Sequence, residues 1–137
     1  MSYIAKPYLL KMFSKTDCLK IEVNLLKITM KNVLNPIKAD DVPDNIGEYF
    51  LIELDGKPWV GKGAPPENLS KLKVKYKDEI LDINNYKAVK GRVLEKGETI
   101  EVYIPNPGWK VGEEHTMKVS IFTDNPTIFS ITREVVP

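Results

Sequence analysis

From about residue 47 to the C-terminus, apolar and polar positions alternate with period two, and short alternating runs are separated by Gly, Pro, Asn and Asp. Successive side chains on a strand point to opposite faces, so this pattern predicts antiparallel strands with one buried face. Residues 47–54 read as a strand, Asp55-Gly56 is the dipeptide favoured in two-residue hairpin turns, and Lys57 to Val60 begins the return, with Pro58 placing it at an edge or bulge. After a breaker-rich loop at 61–68, Leu72, Val74 and Tyr76 alternate with Lys71, Lys73, Lys75 and Lys77, and residues 80–83 continue as a hairpin partner across Lys77-Asp78. Asn84-Asn85 marks a further turn. Ile100, Val102 and Ile104 form the next alternating run. Residues 105–108 (PNPG) force a turn, and Met117, Val119 and Ile121 alternate again as the paired strand. The last strand covers 128–135, with Phe129, Ile131, Arg133 and Val135 on one face and Ile128 left over on the other.

Two templates fit residues 18–34. Leu19, Ile21, Val23 and Leu25 suit a strand that continues through Leu26, Ile28 and Met30 after the one-residue slip of a bulge. Leu19, Val23, Leu26, Met30 and Val33 equally make a helical stripe, spaced four and three. The β-branched residues Ile21, Val23, Ile28, Thr29 and Val33 favour the strand. About eight short strands and no long helix predict an all-β fold, an antiparallel two-sheet β-sandwich of immunoglobulin-like topology, because a sheet with one apolar face must bury it against a second layer. A closed barrel is the alternative.

The chain has 137 residues and a net charge of +1, which suits one domain over 1–137, with residues 1–17 as a peripheral arm. Near-neutral charge argues against nucleic acid as a partner, since backbone binding needs concentrated Lys and Arg. No stretch is long and apolar enough for a membrane span or a signal peptide, and the single Cys18 cannot form an internal disulfide. Cytoplasmic localisation is expected. All basic residues but Arg92 and Arg133 are lysine and glutamine is absent, a thermophile-like bias that nine asparagines weaken.

Recognisable chemistry is sparse. His115 is the only histidine, so zinc sites and His-based triads have one residue to draw on. Its neighbours Glu113 and Glu114 are placed to raise its pKa. Asp40, Asp41 and Asp44 lack the spacing of a calcium loop, Cys18 lacks an activating context, and no phosphate-binding glycine motif occurs. No catalytic residue, metal or cofactor is implied. Lys71, Lys73, Lys75 and Lys77 are candidate anion-binding residues, although lysines on an exposed strand also discourage edge-to-edge pairing. Trp59, Tyr86 and Trp109 lie beside turns. There they serve either as binding residues for a partner or a sugar, or as caps on the open ends of the core.

The run Leu54-Asp55-Gly56-Lys57, the later strand at 72–76, and the segment 104–115 (IPNPGWKVGEEH) with its following strand resemble the small β-subunit of C-glycoside deglycosidases. That family is a β-sandwich accompanying a larger, metal-dependent TIM-barrel subunit, and the likeness covers roughly residues 18–123. The chain departs from it before the first hairpin, where the acidic stretch at 40–45 replaces an aromatic-rich, arginine-containing segment. The resemblance implies an accessory subunit whose partner is a larger, carbohydrate-active enzyme. Three functions therefore stand as expectations: an interaction module docking another chain or itself, a carbohydrate-binding module using Trp59, Tyr86 or Trp109, and a small hydrolase or lyase using dispersed carboxylates and His115.

Overall fold

A computed structural model describes residues 11–13, 17–32, 37–38, 45–82, 93–122 and 126–137. The described residues are mostly β, arranged in two main antiparallel sheets. The first has five strands in the order β1 (Leu19–Glu22), β2 (Leu25–Lys31), β9 (Thr99–Pro105), β6 (Lys73–Tyr76) and β7 (Glu79–Asp82). The second has four, in the order β11 (Thr127–Glu134), β10 (Glu114–Ile121), β4 (Phe50–Leu54) and β5 (Lys57–Gly61). A short pair joins β3 (Ile37–Lys38) to β8 (Val93–Leu94), a 3-10 turn spans Ile46–Glu48, and one helical turn, α1, spans Pro66–Ser70. No helix among the described residues is long and apolar enough to cross a membrane.

The inward faces carry the core. Leu19, Leu26, Ile28 and Ile104 from one sheet meet Leu54, Val60, Met117, Phe129 and Ile131 from the other, and Trp109, Leu72 and Val135 close the gaps. Each fully buried large aliphatic side chain contributes about 2 kcal/mol, so this alternation dictates the layering. The last strand keeps its odd-numbered face inward and leaves Ile128 exposed, as the pattern predicts.

Three features differ from the sequence expectation. Residues 18–31 are neither a helix nor one bulged strand but a hairpin, and the phase slip after Leu25 is the turn Val23-Asn24. The 105–108 turn does not make a hairpin of its flanking strands: β9 pairs with β2 and β6, whereas β10 pairs with β4 and β11. Residues 106–113 instead cross from one sheet to the other, which alternation cannot reveal because it marks strands without assigning them to sheets. The breaker-rich loop runs into α1, started by Pro65-Pro66.

Hairpins at Asp55-Gly56 and Lys77-Asp78 form as expected. Both turns hold two residues of positive φ, with Asp55 at 51°, Gly56 at 83°, Lys77 at 48° and Asp78 at 66°. Pro58 lies on the edge strand β5, opposite Glu53 beside an irregularity in the ladder. At the C-terminus, Val136 pairs in parallel with β1, its carbonyl accepting from Ile21 N–H at 2.9 Å.

Candidate functional site

One end of the sandwich gathers the β1–β2 turn, the β4–β5 turn and the 106–113 crossover. The crossover is fixed by its own polar side chains. Asn106 Oδ1 accepts from Gly108 N–H at 3.2 Å and Trp109 N–H at 2.9 Å, and its Nδ2 donates to the Trp109 carbonyl at 3.1 Å. Such Asx geometry holds a chain reversal without help from a neighbouring strand. Glu113 Oε1 accepts from Lys110 N–H at 3.0 Å, and Gly112 N–H donates to the Val135 carbonyl at 2.8 Å.

His115 lies at the start of β10, on the inward face with Met117, and its ring stacks on Trp109 with centroids 4.2 Å apart and planes 2° from parallel. Its Nδ1 is 2.6 Å from Asp55 Oδ2 and its Nε2 is 3.0 Å from Glu113 Oε1. Ionised carboxylates only accept hydrogen bonds, so once the ring is protonated both nitrogens donate and an imidazolium lies on the indole face. Asp55 is held in turn by Thr116 N–H, which donates to its Oδ1 at 3.0 Å, and by its own N–H, which donates to the Thr116 carbonyl at 2.9 Å.

The electrostatics follow from this geometry. Burial of the His115 ring pulls its pKa down, but bonds to Glu113 and Asp55 outweigh burial and raise it above the ordinary histidine value. Burial likewise works to raise Asp55, yet the Thr116 N–H, His115 and the Trp109 side chain hold it below the usual carboxylate range. The His115 bond and the Lys110 N–H lower Glu113. Protonated, the ring donates from both nitrogens and ties the β4–β5 turn and the crossover together. Among the described residues, no group of three or more His, Cys, Asp or Glu is placed to hold a metal ion.

Trp109 is 6% exposed, one ring face covered by His115, and it belongs to the core cluster. Trp59, on β5, donates from Nε1 to the Pro105 carbonyl at 2.8 Å, tying the four-stranded sheet to the end of β9, and Lys57 Nζ sits 5.3 Å from its ring centroid. Tyr86 and Asp40, Asp41 and Asp44 lie outside the described residues. The four lysines do not form one stripe. Lys71 caps the end of α1 and Lys77 stands in the β6–β7 turn, its Nζ 3.3 Å from Glu98 Oε2. Lys73 and Lys75 face Tyr103 and Glu101 across the ladder. Burial tends to raise Glu101, but Lys27, Tyr103 and Lys75 hold its pKa low, and Lys27 also reaches Glu22 at 3.1 Å. The strand carrying Lys73 and Lys75 is also not an edge, since β9 and β7 flank it, so these lysines do not guard an edge as the sequence suggested.

The sequence marks Asp55 and Asn106 only as members of turn segments, and it places Val23 in an apolar run. Asp55-Gly56 was legible as a turn, but nothing one-dimensional links it to His115, 60 positions away. Val23, beside the crossover, has φ 58° and is 87% exposed, and the carbonyl of its neighbour Asn24 accepts from Asn106 N–H at 3.0 Å. No protein-family model matches this chain, and no curated protein matches it.

Proposed function

We propose that this protein is an interaction module without catalytic machinery of its own, docking a larger protein chain through the end of the sandwich built by the β1–β2 turn and the 106–113 crossover. The observation that carries this reading is Val23. A β-branched residue in the left-handed region is a backbone outlier, and a side chain 87% exposed gains nothing from burial to offset it. Leu25 and Val111 are also exposed on this end, and the crossover bearing Val111 is fixed by Asn106, Glu113 and His115. Apolar tips on a backbone already held in place lose little entropy on binding. The resemblance to small β-subunits supplies the partner class, a larger, carbohydrate-active enzyme subunit.

The test uses the full chain immobilised as wild type, Val23→Gly and Val111→Ser, each exposed to lysate of the source cell. Glycine suits the left-handed turn, so Val23→Gly removes the side chain without harming the fold. A chain retained in stoichiometric amount by the wild type and about tenfold less by the variants supports the reading, since loss of a buried apolar anchor costs about 1–2 kcal/mol. Recovery of the wild type alone, or equal retention by all three proteins, refutes it.

A further inference from the structure

Four strands end the two main sheets, and three of them are blunted. The edge strand β5 carries Pro58 and a ladder irregularity. On β1, Val136 supplies a neighbour, with its N–H donating to the Leu19 carbonyl at 3.1 Å. The third, β7, is four residues long and begins on a carboxylate, Glu79. Lysine, proline, charge, shortness and cover are the usual devices that keep an edge from pairing with another chain. By contrast β11 has eight residues in unbroken register with β10, no lysine and no proline, and its charges are confined to one end, at Arg133 and Glu134.

The direction of its free backbone groups follows from the neighbouring ladder. Thr116 turns both its N–H and its carbonyl toward Asp55, on the β4 side. Its cross-strand partner Thr132 therefore sits in a pair that exchanges no backbone bonds, and the Thr132 N–H and C=O point away from β10. Alternation gives Ser130 and Ile128 the same outward backbone. Among the described residues no backbone bond reaches these three positions from outside; at the Thr132 end Arg133 Nη1 donates to the Thr132 carbonyl at 2.9 Å and its Nη2 to the Phe13 carbonyl at 3.4 Å, leaving Ile128 and Ser130 the open stretch. Their side chains are uncharged and lie on the outer face, with Ile128 51% exposed.

We infer that β11 is a self-association edge, whose occupant is β11 of a second copy of this chain, paired antiparallel about a two-fold axis at Ser130. In that register Ser130 faces its own counterpart and Ile128 faces Thr132 of the second copy, each pair exchanging backbone bonds. Like charges placed opposite one another destabilise a ladder, and this register places none. The charged Arg133 and Glu134 fall opposite Thr127 and Pro126. The two four-stranded sheets then run on as one. This proposal uses the edge of β11 and not Val23 or Val111, so the two proposals stand or fall apart.

The experiment is sedimentation of the full chain over a concentration series, as wild type, Ser130→Lys and Ser130→Glu, with circular dichroism confirming that each is folded. The expected result is a concentration-dependent wild-type dimer, dissociation at least about tenfold easier for each variant alone, and recovery of a dimer when the two variants are mixed in equal amounts. That recovery requires position 130 to lie opposite or diagonally beside itself across the interface. A wild type that stays monomeric up to about 1 mM overturns the proposal. So does a dimer that either variant leaves intact, or a mixture of folded variants that remains monomeric.

Discussion

The β4–β5 and β1–β2 hairpins are both closed by two residues, and both turns enter the left-handed region, yet they get there by opposite means. At Asp55-Gly56 the local chemistry agrees with the backbone: glycine tolerates φ 83° at no steric cost, and Asp55 at 51° is among the few residue types that visit this region readily. Its carboxylate then binds Thr116 N–H and His115, so the turn is also a tertiary clamp. At Val23-Asn24 the first residue takes φ 58° with a branched side chain that points into solvent. Here the register of β1 against β2 and the Asn24–Asn106 bond impose the turn on a valine that does not favour it. Agreement between local preference and global fold marks a place selected for folding, and conflict marks a place kept for something else.

The largest effect follows from breaking the clamp. Asp55→Ala removes the acceptor for Thr116 N–H, the partner of His115 Nδ1 and a residue suited to positive φ, and should cost about 2 kcal/mol. Urea denaturation, read as a fall in midpoint at constant slope, checks it. Asp55→Asn keeps an oxygen for Thr116 and tolerates the same backbone, so it should lose roughly half as much, about 1 kcal/mol. Equal losses for the two variants would mean that the charge on Asp55 does all the stabilising.

Smaller and opposite effects come from exchanging the backbone demands of the two turns. Gly56→Ala meets no neighbouring atom within 4 Å, so its cost is the left-handed penalty alone, about 1 kcal/mol. Val23→Gly relieves that penalty and gives back part of it as unfolded-chain entropy, leaving a gain of about 0.5 kcal/mol. Thermal midpoints moving in opposite directions would confirm that the two turns differ in this way. A destabilised Val23→Gly would show instead that the valine is supported by its surroundings, and would remove the main argument for a docking role. A variant that is more stable but binds its partner less well is the trade expected of a residue kept for function.

How much of this was legible depended on the range of the interaction. The hairpins at Asp55-Gly56 and Lys77-Asp78 could be read because turn chemistry is carried by adjacent residues. The inward set Phe129, Ile131 and Val135 could be read because period two is local. Assigning β9 and β10 to different sheets was not legible, since both alternate and both flank the same proline-rich segment. At the site, the link from His115 to Glu113 follows from a spacing of two, whereas the link to Asp55 exists only because β4 pairs with β10. Val23 was hidden by its own chemistry, because a valine in an apolar run reads as strand and only the turn geometry shows that it faces water.

The finest probe of the clamp is its pH dependence, where the sign differs between its members. His115 has a raised folded pKa, so its contribution is full below the unfolded value of about 6.5 and is lost as pH rises through the folded value. Asp55 and Glu113 have lowered folded values, so theirs is present above about pH 4 and lost as pH falls through those values. The thermal midpoint of the wild type should therefore peak between about pH 4.5 and 6.5 and decline on either side. His115→Asn should abolish the alkaline decline below about pH 8. The acid decline should remain in that variant, because Glu98 and Glu101 also titrate below their ordinary values through partners outside the clamp. A proton-resonance titration of His115 should give a midpoint above about 6.5 in the wild type and a lower one in Asp55→Asn. If the alkaline decline survives the loss of His115, the crossover is held by Asn106 and the backbone bonds to Val135, and the imidazolium only fills the space beside Trp109.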